Sequence, residues 1–111
     1  MTVRDVIDLI GAESVVSGAD LDREVTGGYA CDMLSWVMAN AEAGMAWSTV
    51  QAHMNVIAVA VLMELSCVIL PEGVKLEPDA LRKAEDEKIA VLATDKTAFE
   101  VSGILYGKGI R

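Results

Sequence analysis

Apolar positions along the chain follow two rhythms, one helical and one extended. Val3, Val6, Ile7 and Ile10 recur at helical spacing, with Thr2 placed to cap, Asp5 in the first turn and Gly11 to end the run. Residues 14–16 read as a short strand, and a polar turn follows over residues 17–20. Residues 21–25 alternate as a second short strand, broken by Thr26-Gly27-Gly28. Met33, Leu34, Val37, Met38 and Ala41 then give a second helix, with Asp32 as its cap and Gly44 as its stop. Trp47, Thr49 and Val50 favour extended backbone, so residues 45–51 are predicted as a strand.

Periodicity then gives out. Residues 56–65 are apolar on every side, which fits a buried helix or a buried strand; length and a cap at Asn55 favour a helix at the centre of the core. Residues 67–70 read as a buried strand closed by Pro71-Glu72-Gly73. Pro78 and Asp79 open a further helix, with Arg82, Lys83 and Lys88 toward its other end. Residues 89–93 are again an apolar strand, and Thr94 is placed to cap a last helix running past Phe99, Ser102, Leu105 and Tyr106 to Gly107 and Gly109. Strands and helices thus alternate from residue 45 onward, the pattern of a mostly parallel sheet flanked by helices. The expected fold class is α/β, one layered domain over residues 1–111.

Charge and composition narrow the function. A net charge of -8 opposes nucleic acid and anionic membrane surfaces as partners. Hydrophobic residues make up 53% of the chain but aromatics only 5%, so Val, Ile, Leu, Met and Ala must build the core. The longest purely apolar run, residues 56–63, is under half of the ~20 residues that a membrane span requires. Cys31 and Cys67 have no metal-type spacing and read as small apolar groups in a reducing compartment. With no cationic, apolar leader at the start, the expected location is cytoplasmic.

One stretch carries more than periodicity. Asp22-Arg23, then Thr26-Gly27-Gly28 with Tyr29 and Asp32-Met33-Leu34-Ser35, resemble the DRTGG domain family, with Glu24 and Val25 separating the two parts. The resemblance continues through Val37-Met38-Ala39-Asn40-Ala41, Trp47-Ser48-Thr49-Val50-Gln51, His53 and residues 55–60. It goes on through Lys83-Ala84-Glu85 and residues 99–106, so that it spans about residues 3–109. It implies a free-standing domain similar in fold to the N-terminal domain of HPr kinase/phosphorylase, and more distantly to uridine-nucleotide-binding domains of cell-wall ligases. Family members serve as accessory modules, beside CBS domains in regulated pyrophosphatases and in some phosphotransacetylases. The implied role is dimerisation, regulation or ligand sensing. No Gly-x-x-x-x-Gly-Lys-Ser/Thr is present, so the resemblance brings no kinase chemistry.

Candidate chemistry is sparse. Asp22, Arg23, Thr26, Gly27 and Gly28 could form an anion or nucleotide pocket, with the glycines giving backbone donors; equally, the glycines could simply reverse the chain. His53, the single histidine, stands between a predicted strand and helix, where parallel sheets bind ligands, and Thr49 could line the same crevice. Against this, His53 could be a loop residue that fixes the turn. No nucleophile or acid–base pair accompanies these residues, and neither a metal site nor a cofactor is expected. Trp36, off the main stripe of its helix, together with Val56, Val59 and Met63, is the expected interface. The reading is therefore a non-catalytic regulatory or interaction module, homodimeric and accessory to a partner enzyme. The alternative is a nucleotide or anion sensor, and a small enzyme using His53 stands third.

Overall fold

The computed structural model describes residues 1–111. Its elements in chain order are α1 (Val3–Ile10), β1 (Glu13–Ser14), β2 (Gly27–Ala30), α2 (Leu34–Asn40) and β3 (Met45–Ser48), followed by α3 (Met54–Leu62), β4 (Cys67–Leu70), α4 (Pro78–Glu87), β5 (Ala90–Ala93) and α5 (Ala98–Gly107). The five strands form one sheet in the order β1-β5-β4-β3-β2, parallel except for β1, which pairs antiparallel with β5. The α/β class and the mostly parallel sheet are as the alternation predicts.

Each crossover from β2 to β5 steps one strand in the same direction, so α2, α3 and α4 all lie on one face. There Val37, Val56, Ile57, Ala60, Ala80 and Ala84 pack on Trp47, Val68, Leu70 and Val91. The other face carries α1 and α5, whose Val3, Val6, Ile10, Val101 and Leu105 cover Ala46, Cys67, Ile69, Ala90 and Leu92. Because both faces are covered, β4 is buried at every position, Val68 and Leu70 to one side, Cys67 and Ile69 to the other.

Several local expectations are corrected. Residues 21–25 form no strand; a single bridge, Thr2 to Glu24, is all they contribute. Gly27 and Gly28 do not turn the chain but belong to β2, and neither has positive φ. A Cβ at Gly27 would stand 3.0 Å from the Arg111 carbonyl oxygen, and one at Gly28 would stand 3.2 Å from Ile110 Cγ2. The glycines admit the end of the chain against an edge strand.

Asp32 does not cap α2. Its Oδ1 accepts instead from Thr49 Oγ1 at 2.9 Å and from the Val50 amide at 3.0 Å. Helix α3 begins before Asn55, with His53 at the cap position and no side-chain cap. The last helix is capped by Thr97, in a reciprocal box with Glu100; Thr94 sends its buried hydroxyl to the Ile10 carbonyl at 3.4 Å. On α1 the Thr2 cap, Asp5 in the first turn and Gly11 at the end stand as predicted; Thr2 and Asp5 form a matching box, and Gly11 is left-handed.

The interface expectation is corrected in part. Val56 and Val59 are buried in the core and Met63 is half-buried, whereas Trp36 is 58% exposed. Helix α3 is therefore not buried on all sides; Met54, Ala58 and Leu62 line its outer face.

Candidate functional site

The expected site residues separate into two groups at opposite ends of the sheet. At the amino end, residues 20–26 run as a strap beneath the strands. Asp20 N–H donates to Lys88 O, Arg23 Nη2 to Glu64 O at 3.0 Å, Ser66 Oγ to Glu24 O, and Thr26 N–H to Gly44 O at 2.9 Å. The strap thus touches in turn the entrances to β5, β4 and β3. Its other edge is tied to α1, since the Val3 and Arg4 amides donate to Arg23 O and Leu21 O. Asp22 pairs with Arg4 at 3.2 Å on the surface. Thr26 Oγ1 donates to Ala43 O at 3.4 Å, and the side chain fills the space that a Cβ at Gly44 would need. In this geometry Arg23 and Thr26 direct their donors to backbone carbonyls of the same chain.

Thr49 and His53 lie at the opposite, carboxyl end. The Thr49 hydroxyl donates to Asp32 and accepts from the Gln51 amide at 3.2 Å, so its hydrogen-bonding capacity serves the loop. Gln51 Nε2 donates to Asp32 O at 3.1 Å, and Gln51 Oε1 meets His53 Nε2 at 3.1 Å. The network locks the loops after β2 and β3 together. No carboxylate orients the imidazole, so the arrangement lacks the third member of an acid–base relay.

A cavity of about 500 Å³ opens elsewhere on the carboxyl end, and none of the expected residues lines it. Helix α4 follows β4 onto one face and α5 follows β5 onto the other, so the loops after these neighbouring strands diverge. Open parallel sheets bind ligands at such a divergence. The walls include Leu70, Val74, Leu76 and Leu81, and the polar side chains are Glu13, Lys75, Thr94 and Asp95. Cross-ties make the rim firm: Glu72 N–H donates to Lys96 O at 2.8 Å, Gly73 N–H to Thr94 O at 3.1 Å, and Ala98 N–H to Glu72 Oε2 at 2.9 Å. The sequence marked the ends of both strands. It did not reveal that α5 crosses to the other face, which is the signal that would have located the cavity.

The remaining reactive groups are dispersed. No three His, Cys, Asp or Glu side chains stand together as metal ligands. Burial pushes the Cys67 thiol up to about 12, with the Arg23 charge working against that rise, so the thiol stays protonated and inert. No helix is long and apolar enough to cross a membrane.

No family model matches the chain, and no curated protein matches it. Among solved structures, it is similar to the crystal structure of the CBS and DRTGG domains of the regulatory region of Clostridium perfringens pyrophosphatase, complexed with the activator diadenosine tetraphosphate. The TM-score is 0.68 at 13% sequence identity, over 94% of this chain and 45% of that one. The chain therefore spans less than half the length of that structure, and the likeness is one of fold.

Proposed function

We propose that this chain is a non-catalytic regulatory module that acts by pairing with a second copy of itself through the outer face of α2 and α3. The observation that carries this is the absence of any charged residue from both helices, Leu34–Asn40 and Met54–Leu62, in a chain of net charge -8. Around these helices Met33 (60%), Trp36 (58%) and Leu62 (70%) are exposed, as are Met54 and Ala58 on α3. Two copies carrying the same negative charge approach with least repulsion where neither presents an acid. Exposed apolar side chains on uncharged helices are suited to an interaction surface, and a two-fold pair would cover them on both copies. A fold shared with the regulatory region of a pyrophosphatase supports a regulatory role over a catalytic one, and the partner regulated would be an enzyme.

Trp36 provides the test, because Trp47 is fully buried and contributes a constant background. Acrylamide quenching of tryptophan fluorescence should fall as protein concentration rises, as Trp36 becomes covered. Quenching that is independent of concentration up to the millimolar range would contradict pairing through this face.

A second reading is nucleotide sensing, supported by the divergent-loop cavity and by the activator nucleotide in the similar regulatory region. Lys75 on the wall and Lys96 beside Gly11 would meet phosphates. In this reading, the strap of residues 20–26, the β2 glycines Gly27 and Gly28, and the Thr49–His53 loop brace the fold and do not touch the ligand. A nucleotide at 100 times its dissociation constant adds about 2.7 kcal/mol of stability. Melting temperatures unchanged by ATP, UTP and diadenosine tetraphosphate would remove this reading; a rise lost on Lys75→Ala would support it.

A further inference from the structure

The sheet ends on two unlike edges. At one, β1 is two residues long and carries Glu13, and short or charged edge strands resist further pairing. At the other, β2 and the residue after it read Gly27-Gly28-Tyr29-Ala30-Cys31, with no charged residue and no proline. The bond pattern shows which backbone groups this edge leaves open. Cys31 N–H donates inward to Ser48 O at 3.2 Å, while Thr49 N–H turns the other way to Ile69 O at 3.0 Å. In a parallel strand the N–H and C=O of one residue point to the same side, and the side alternates along the chain. Tyr29 and Cys31 therefore face β3, and Gly28 and Ala30 face outward. No strand lies beyond them, and no other group of the chain bonds to their N–H and C=O.

The surroundings of the edge set the chemistry of its partner. Gly28 and Ala30 pair in register with Ala46 and Ser48, and a Cβ at Gly28 would meet Ile110, so both lie toward the α5 face. There Arg111 and the exposed Tyr106 line one crevice with Gly28, Tyr29 and Ala30. The Arg111 guanidinium stacks 4.6 Å from the centre of the Tyr106 ring, and its Nε donates to Tyr106 O at 3.4 Å. No carboxylate of the chain pairs with it, which leaves its terminal donors free.

We infer that β2 is a docking edge for an extended segment of a partner protein, which adds to the sheet as a further strand and sets one acidic side chain on Arg111. Each part answers a separate observation. The open N–H and C=O groups of Gly28 and Ala30 select a strand, because an extended backbone offers acceptors and donors at the matching interval. The unpaired guanidinium selects a carboxylate. In a chain of net charge -8, that carboxylate is repelled from most of the surface and held where the one free cation beside the edge stands. The edge shares no residue with the α2–α3 face, so this inference and the pairing proposal fail separately.

The probe is the peptide Thr-Val-Thr-Val-Glu-Val-Thr-Val-Thr, blocked at both ends, followed by amide chemical shifts and hydrogen exchange in nuclear magnetic resonance. At millimolar concentration it should shift and protect the amides of Gly28 and Ala30. The same peptide with Lys in place of Glu should bind about tenfold more weakly, and Arg111→Gln should erase that difference. Peptides N-methylated at one or the other set of alternate residues should differ, one set abolishing binding and the other leaving it. Ala30→Pro should abolish binding too. It removes an outward donor and spares the bonds to β3, a place where an edge strand accepts proline. The inference is overturned if the amides of Gly28 and Ala30 do not respond, if both N-methylated peptides bind like the parent, or if the Lys peptide binds as tightly as the Glu peptide. An Ala30→Pro variant that folds but loses self-association would give the edge to a second copy of the chain, and that also overturns it.

Discussion

Arg23 reaches across the amino end of the sheet and donates from Nη2 to the carbonyl of Glu64 at 3.0 Å. Glu64 itself has φ of 56°, the left-handed conformation by which the chain leaves α3 and enters β4. A side chain of the strap thus holds the carbonyl of a residue in a costly conformation. Arg23→Ala should lower the unfolding free energy by about 1–3 kcal/mol, since it strips a charged donor from that carbonyl. Urea denaturation measures this. A variant as stable as the parent would show that Arg23 is free for another task.

Gly28 should behave as a packing residue. A Cβ there would meet Ile110 Cγ2 at 3.2 Å, and Ile110 is buried under α5. Gly28→Val should cost about 1–3 kcal/mol by overpacking and should loosen residues 110–111. Hydrogen exchange at the Ile110 amide, which donates to Leu105 O at 3.0 Å, reports the loosening directly. Unchanged protection would mean that the glycine serves something other than this contact.

Acid should unfold the chain partly through its two capping boxes. Backbone and hydroxyl hydrogen bonds from Thr2 hold the Asp5 carboxyl below its ordinary 3.8, and those from Thr97 hold Glu100 below its ordinary 4.5. Each pKa is lower folded than unfolded. The stabilisation is therefore complete above the ordinary carboxylate range and is lost as pH falls through the lowered value. Glu100→Gln should flatten that part of the melting-temperature profile below the ordinary glutamate range. An identical profile in the variant would contradict the assignment.

The two thiols should differ in reactivity. Cys67 is fully buried with its pKa pushed up to about 12, whereas Cys31 is half-buried with its sulfur 3.8 Å from Met33 O. Ellman's reagent should label Cys31 in the native protein and Cys67 only at the rate of unfolding. Two equally fast native thiols would contradict the burial of β4.

What the sequence made legible was local. Thr2, with Asp5 after it, and Gly11 mark the two ends of α1, and the apolar strands β4 and β5 stand out from the charged helix between them. What it concealed depends on distant partners. Gly27-Gly28 looks like a turn until the end of the chain is laid beside it. Thr94 looks like a helix cap until Ile10, far away in sequence, takes its hydroxyl. Asp32 looks like a cap until Thr49 and Val50 claim its carboxylate. Helix α3, apolar all round, gives no local sign of which side faces the core: Val56 and Val59 read as well for the surface as Met54 and Leu62, which are the residues exposed there. The candidate cavity needs the sidedness of α5, which no local pattern encodes.

The uncharged face of α2 and α3 is the centre of the account, and the mass of the protein in solution tests it most directly. Light scattering after size-exclusion chromatography should give twice the chain mass of 11.8 kDa for the parent. Leu62→Glu, a change at a position 70% exposed, should return the chain to 11.8 kDa while leaving its circular-dichroism spectrum unchanged, with the melting temperature falling only by the share that pairing contributes. A parent that remains at the single-chain mass at every concentration would contradict the account.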